Sequence, residues 1–348
     1  MFFMITFITA AALFLFLEGL CSVIFIVKSL HLPRAEDIST KRDSLLGWVS
    51  LPNVFIKNMY GEGIYLKTNS QGFRNNTDFP ASVPEGKIRI ISSGDSFTLG
   101  YGVDNDHTWC HLLESMDDRL EVVNMGQGSY GIGQAYLWYM RDGIKLKHQI
   151  HIFGVIGDDF KRFEKKNGWG YGRPDLKWQN NSLVVRNIPV PARSFYAPWL
   201  ADNSREIFAE LKALRALRFF YNKLMFDRER ISETNKINAG RALAVRIFEE
   251  LLKIDKLNNS TLIVVYLPVK RDLTENASAG LRKSLASALS ERKIFFWDLV
   301  DDFKKTPGAE INKLFISKNK YYSGSGHYTE RGNQLVAGVI YKKLLPLF

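Results

Sequence analysis

The chain predicts an α/β protein: a three-layer α/β/α sandwich around a parallel five-stranded sheet. Three observations carry that expectation. Apolar runs of strand length recur down the sequence, at Ile88–Ile91, Leu120–Asn124, Ile150–Ile156, Leu262–Leu267 and Ile294–Trp297. Helical patterns lie between them, and strands alternating with helices make a parallel sheet buried on both faces. The 348 residues suffice for one α/β domain of roughly 250 residues with further segments attached.

From the N-terminus, residues 2–27 are apolar apart from Thr6, Thr9, Glu18, Gly19 and Ser22. A run of about 26 residues exceeds the roughly 20 that cross a hydrocarbon core. It has no basic n-region and no small-residue cleavage pattern, so residues 1–29 read as an uncleaved, single-pass transmembrane anchor. Glu18-Gly19-Leu20 ahead of Cys21 does not fit a lipid-attachment pattern. Lys28, Arg34, Lys41 and Arg42 follow the span and no basic residue precedes it, which favours a cytoplasmic main domain. Glu18 is either a partner contact within the span or sits toward water at its end.

Residues 30–85 form an irregular lead-in with a hairpin-like piece at Gly63–Lys67, and 86–348 form the main domain. Trp109, Leu112, Leu113 and Met116 recur at i, i+3, i+4 and i+7, one helix face. Further helices are expected at Gly133–Met140 and Glu330–Leu345. An insertion over about 161–258 separates the third and fourth strands. Its first part has a hairpin around Leu183–Arg186, and its second, about 204–257, is helical. There Phe208, Leu211, Leu214 and Leu217 form an apolar stripe, with Lys212, Arg215 and Arg218 on other faces. That helix either packs on the core or rests on a bilayer.

A net charge of +11 points to anionic surfaces such as lipid headgroups or acidic glycans. No RNP, zinc or helix-turn-helix pattern occurs, so nucleic acid is not an expected partner. Cys21 and Cys110 make no disulfide framework.

The chemistry concentrates at Ser93-Gly94-Asp95-Ser96-Phe97-Thr98-Leu99-Gly100, just past the first strand, and at Gly326-His327-Tyr328-Thr329. A serine at a strand end with a histidine on a late loop is a nucleophile with its base. Active sites of open α/β sheets gather at the carboxyl ends of strands. Asp95 is placed to brace the turn through its side-chain oxygens. Alone, Gly-Asp-Ser is a three-residue match that an ordinary turn also supplies.

The motif set as a whole resembles the SGNH (GDSL-type) hydrolases, specifically membrane-anchored bacterial members, over about residues 43–348. Ser93–Gly102 resembles the first block, with Val103, Trp109 and Leu112-Leu113 continuing it. Leu46-Gly47-Trp48 and Thr68–Arg74 look like the lead-in. Asn124-Met-Gly126-Gln-Gly128-Ser-Tyr-Gly131 resembles the second block, Gly157-Asp158-Asp159 stands at the third, and Gly326–Asn333 resembles the last.

The resemblance implies Ser96 as nucleophile and His327 as its general base. It also implies an oxyanion hole from the Ser96 N–H and an N–H of Ser129 or Gly128. The chain departs from the family at two places. Asp158 stands where an asparagine amide usually supports the oxyanion; it donates only if protonated, or turns away. The triad acid's positions hold Gly324 and Ser325, which leaves His327 oriented by a backbone carbonyl, by the Ser325 hydroxyl or by an acid from elsewhere, such as Asp298.

Other constellations read as structural. His107 and His111 lie at i, i+4 on a solvated face, and His148 and His151 pack or bond locally. Asp301, Asp302 and Glu310 are solvated charge. Trp169, Tyr171 and Trp178 either stack on a sugar or pack a hairpin. No metal or cofactor is implied.

The expected activity is ester hydrolysis through an acyl-serine, on O-acyl groups of cell-envelope glycans or lipids, with envelope-biosynthesis partners. The same Ser/His pair serves an O-acyltransferase acting on a surface polysaccharide, and a decayed site would leave a binding or scaffold component. The resemblance implies an extracytoplasmic catalytic domain, against the basic flank.

Overall fold

The computed structural model describes residues 5–16, 18–19, 38–165, 167–168, 171–190, 237–321 and 323–348. Its centre is a sheet of β1 (Ile88–Gly94), β2 (Leu120–Gly126), β3 (Ile150–Val155), β4 (Thr261–Tyr266) and β5 (Phe295–Asp298). The order is β2-β1-β3-β4-β5, and every pairing is parallel. The direction of winding reverses between β1 and β3, which opens a crevice at their carboxyl ends.

Side-chain alternation divides the core in two. Ile91, Val123, Phe153, Val155, Leu262 and Val264 face one layer, while Ile90, Val122, Ile150, Ile152, Ile263 and Val265 face the other. The first layer is covered by α3 (Ile132–Arg141), α4 (residues 237–257) and α5 (Ala279–Ser290). The second is covered by α2 (Trp109–Glu114) and α6 (Glu330–Leu344). Period-two strands buried on both faces thus account for the near-continuous apolar runs. α1 (Ser96–Leu99) is a single turn at the carboxyl end of β1.

α5 had no counterpart among the expected helices: its mixed small and charged residues hide the apolar positions Leu285 and Leu289. The lead-in holds two antiparallel pairs, Thr40–Asp43 with Gly47–Ser50 and Phe55–Ile56 with Leu66–Lys67. The first of these pairs was unforeseen. In the insertion, Asp175–Gln179 pairs with Ser182–Arg186. The apolar stripe over 208–217 lies outside the described residues.

The single-pass membrane reading is overturned, and with it the choice of membrane side. Among the described residues no helix is long and apolar enough to cross a membrane.

Candidate active site

The nucleophile turn is built from the strand upward. β1 ends at Gly94, and Asp95 caps α1 by accepting from the Phe97 N–H at 2.8 Å. Ser96 is then the first residue of α1. The turn settles directly on the sheet because β2 ends in Gly126, where a Cβ would lie 2.0 Å from the Leu99 nitrogen. Behind it, buried Arg74 donates to the carbonyls of Leu99 at 2.8 Å, Gly100 at 2.7 Å and Val103 at 2.5 Å. The Leu99 and Gly100 carbonyls stand at the C-terminal end of α1 and Val103 follows in the loop, so the lead-in arginine braces the end of the turn from below.

His327 comes from the loop before α6. Its carbonyl accepts from the Ile316 N–H at 2.8 Å, and Gly326 N–H donates back to the Ile316 carbonyl at 2.9 Å. The ring lies between Phe97 and Tyr101, with centroids 4.8 and 5.0 Å away. Nε2 stands 2.8 Å from the Ser96 Oγ, and Nδ1–H donates to the Gly324 carbonyl at 3.2 Å. With Nδ1 carrying the proton, Nε2 is free to accept from the serine. Burial pushes the imidazole below its ordinary pKa; the Asp95 charge and the Gly324 bond pull it back up, and Arg162 lowers it. The ring is therefore neutral at pH 7, the form a base requires.

Of the orienting groups weighed for His327, the backbone carbonyl of Gly324 occupies the position. Ser325 lines the cleft but is not the ring's hydrogen-bond partner. Asp298 is engaged instead by Arg282 and by the Val300 N–H.

The second block approaches through Ser129, held at φ +63. A left-handed serine needs an outside restraint, and Arg173 supplies it, donating to the Ser129 carbonyl at 2.9 Å and to its Oγ at 3.0 Å. Arg173 lies over the Trp48 ring, 5.0 Å from its centroid. Among the described residues the N–H groups of Ser96 and Ser129 have no acceptor, and both residues line the cleft. Gly128 is not among the lining residues; its carbonyl accepts from the Trp48 indole at 3.2 Å.

At the third block, Asp158 resolves its alternative by turning outward: its carboxylate is 70% exposed and 3.6 Å from Lys161 Nζ. Asp159 is the buried member, accepting from the Ile156 N–H at 2.9 Å and from Arg162 at 2.5 Å. Burial and the Asp95 charge hold its carboxyl well above the usual range, against the pull of Arg162. The resulting cleft encloses about 500 Å³, and Lys270 and Arg271, at the carboxyl end of β4, are exposed at its rim.

Three arginines, Arg74, Arg162 and Arg173, were not legible as site residues. A faint signal existed for Arg162, which follows Asp159 by three residues on one turn.

A second Ser–His pair lies deeper. His151 Nε2 is 3.0 Å from the Ser93 Oγ, and Nδ1–H donates to Asp255 at 2.9 Å. Tyr139 O–H donates to the other Asp255 oxygen, and His148 Nε2 lies 3.1 Å from the same hydroxyl. His148 bonds locally as expected, its Nδ1 2.7 Å from the Leu146 carbonyl, whereas His151 reaches beyond its neighbours to Asp255 on α4.

His107 and His111 each face a carboxylate, Asp104 at 2.7 Å and Asp106 at 3.8 Å. Among the described residues no cluster of His, Cys, Asp and Glu is arranged to hold a metal ion. Tyr171 stacks on Trp48 and Trp178 lies under Arg246, so both rings pack within the protein; Trp169 lies outside the described residues.

No protein-family model matches the sequence, and no curated protein does. Among solved structures the chain is similar to a lipolytic protein of the G-D-S-L family from Desulfitobacterium hafniense, at 15% identity and TM-score 0.41, over 74% of this chain and 99% of that one. It is similar to a lipase/acylhydrolase from Enterococcus faecalis at 10% identity and TM-score 0.41, over 74% of this chain and 95% of that one. An acetyl xylan esterase, AlAXEase, aligns at 12% identity and TM-score 0.40, over 74% of this chain and 100% of that one.

Proposed function

We propose that this chain is a serine ester hydrolase of the SGNH type, acting on O-acyl groups through an acyl-serine intermediate. The observation that carries the reading is the 2.8 Å contact between His327 Nε2 and Ser96 Oγ, with the far ring nitrogen tied to the Gly324 carbonyl. Ser96 Oγ attacks the ester carbonyl while His327 takes its proton. The oxyanion meets the N–H groups of Ser96 and Ser129. His327 then returns the proton to the departing alcohol oxygen, and a water activated by the same ring cleaves the acyl-serine. A dyad without a carboxylate loses rate relative to a full triad but keeps its nucleophile and oxyanion donors.

The cleft combines apolar Phe97, Tyr101, Ile156 and Val269 with polar Ser129, Asp158, Lys270 and Arg271, which supports a substrate with an acyl group on a polar body, such as an O-acylated glycan.

Fluorophosphonate labelling of wild type, Ser96→Ala and His327→Ala tests the reading. Stoichiometric labelling of Ser96, lost in both variants, is the expected result. A folded wild type that stays unlabelled would sink it and leave a non-catalytic binding role. A series of p-nitrophenyl esters then reads acyl length, with acetate expected to exceed octanoate.

A further inference from the structure

We infer that Arg162 is a positioning residue that locks the nucleophile turn to the two other chain segments of the site. The inference rests on the serine-hydrolase reading. The two hydrogens of its Nη1 are shared among three acceptors from three segments: Asp95 Oδ2 at 3.0 Å, the Tyr130 carbonyl at 2.5 Å and Asp159 Oδ1 at 2.5 Å. Asp95 precedes the nucleophile, Tyr130 follows Ser129, and Asp159 follows Asp158. The guanidinium is permanently charged and its planar group fixes where Nη1 stands at the meeting point of the three partners, whereas an ammonium on a flexible stem is not held there.

Asp95 is the joint of the assembly. One of its oxygens caps α1 at the Phe97 N–H while the other receives Arg162, so the same carboxylate grips both the turn bearing Ser96 and the arginine. Space for the arrangement comes from Gly131, where a Cβ would lie 2.8 Å from the Arg162 Cβ.

Charge makes the arginine hard to replace. Asp95 and Asp159 are 1% and 2% exposed, so two buried carboxylates share one cation. Buried charges persist only when paired and hydrogen-bonded. The charged and titratable groups around the guanidinium are Asp95, Asp158, Asp159 and His327. Arg162 borders the cleft, yet its three bonds run into the wall rather than toward substrate.

The test compares wild type with Arg162→Gln, Arg162→Lys and the double variant Arg162→Gln/Asp159→Asn. Readouts are melting temperature, fluorophosphonate labelling rate, and kcat and KM on p-nitrophenyl acetate. Arg162→Gln is expected to lower kcat about 100-fold with KM nearly unchanged, the signature of a misplaced nucleophile. Arg162→Lys, which restores charge but not the three-way geometry, is expected to recover only part of that loss.

The double variant separates position from charge. Arg162→Gln alone leaves the buried Asp95 and Asp159 carboxyls facing each other without a cation; the double variant removes that confrontation and leaves Asp95 as the one buried carboxylate. Its melting temperature is expected to recover while kcat stays low. Recovery of kcat in the double variant would overturn the inference, as would an unchanged kcat in folded Arg162→Gln. If Arg162→Gln does not fold, the lysine and double variants decide alone. An unlabelled wild type would overturn the hydrolase reading and this inference together; a labelled wild type with insensitive arginine variants would overturn this inference only.

Discussion

Ser93 and Ser96 stand three residues apart at the carboxyl end of β1, and each faces a histidine ring. The Ser93 site has the full order of a catalytic triad, serine to His151 to Asp255, with contacts of 3.0 and 2.9 Å. The Ser96 site has no carboxylate on its histidine. Yet Ser93, His151 and Asp255 are all 0% exposed, while Ser96 lines a cleft of about 500 Å³. Strand alternation sends Ser93 into the α3/α4 layer, whereas Ser96 lies past the strand's last residue, where the chain turns into α1. Triad composition alone does not make a nucleophile; room for a substrate and unengaged N–H donors do. The buried set ties β1 and β3 to α4, in a medium where a satisfied polar network rigidifies the core.

The largest effect that separates the two pairs is on turnover. Ser96→Ala is expected to lower kcat by a factor on the order of 10⁴ or more, and Ser93→Ala to leave fluorophosphonate labelling intact. Labelling lost with Ser93 and kept without Ser96 would reverse their roles. Next comes stability. Asp255→Ala leaves the buried His151 Nδ1–H and the Tyr139 hydroxyl without their acceptor, a loss of about 1–3 kcal/mol for each orphaned group. Urea denaturation should show it, with the labelling rate of the folded fraction little changed.

Smaller still is the acid response. An unfolded histidine titrates near 6.5, whereas burial pushes His148 down to about 4. Between those values the unfolded chain binds the extra proton, so stability falls as pH falls from 6.5 toward 4, by about 3 kcal/mol. Denaturation of wild type at pH 7 and 5 should show the slope, and His148→Gln should flatten it. For the cleft histidine, kept neutral by burial, the acid limb of kcat/KM is expected below the ordinary imidazole value. Ser325→Asp is expected to move that limb upward by about one pH unit, because a nearby carboxylate favours the imidazolium. A limb that does not move would mean that position 325 does not face the ring.

What could be read in advance follows from physics. The five strands announce themselves because burial on both faces leaves uninterrupted apolar runs, and α3 and α6 because one face is apolar. Ser96 and His327 stand out because glycine-bearing turns punctuate strand ends. Arg74, Arg162 and Arg173 do not, since the partners that bury an arginine come from distant segments and an isolated basic residue looks solvated. His151 likewise bonds a carboxylate 104 positions away. The apolar N-terminus suggested a membrane span from hydropathy alone, whereas among the described residues no helix is long and apolar enough to make one.

Beneath α1 lie three glycines on three adjacent strands: Gly126 on β2, Gly94 at the end of β1, and Gly154 on β3. A methyl group on Gly126 would meet the Leu99 nitrogen at 2.0 Å, and one on Gly94 or Gly154 would meet Thr98 Oγ1 at 2.2 or 2.5 Å. For directed evolution this splits the pocket into a floor that tolerates no diversity and a rim that does. A library aimed at new esters belongs at Asp158, Lys270 and Ser325. Randomising 94, 126 or 154 would spend most of its members on proteins whose nucleophile has been lifted off its seat.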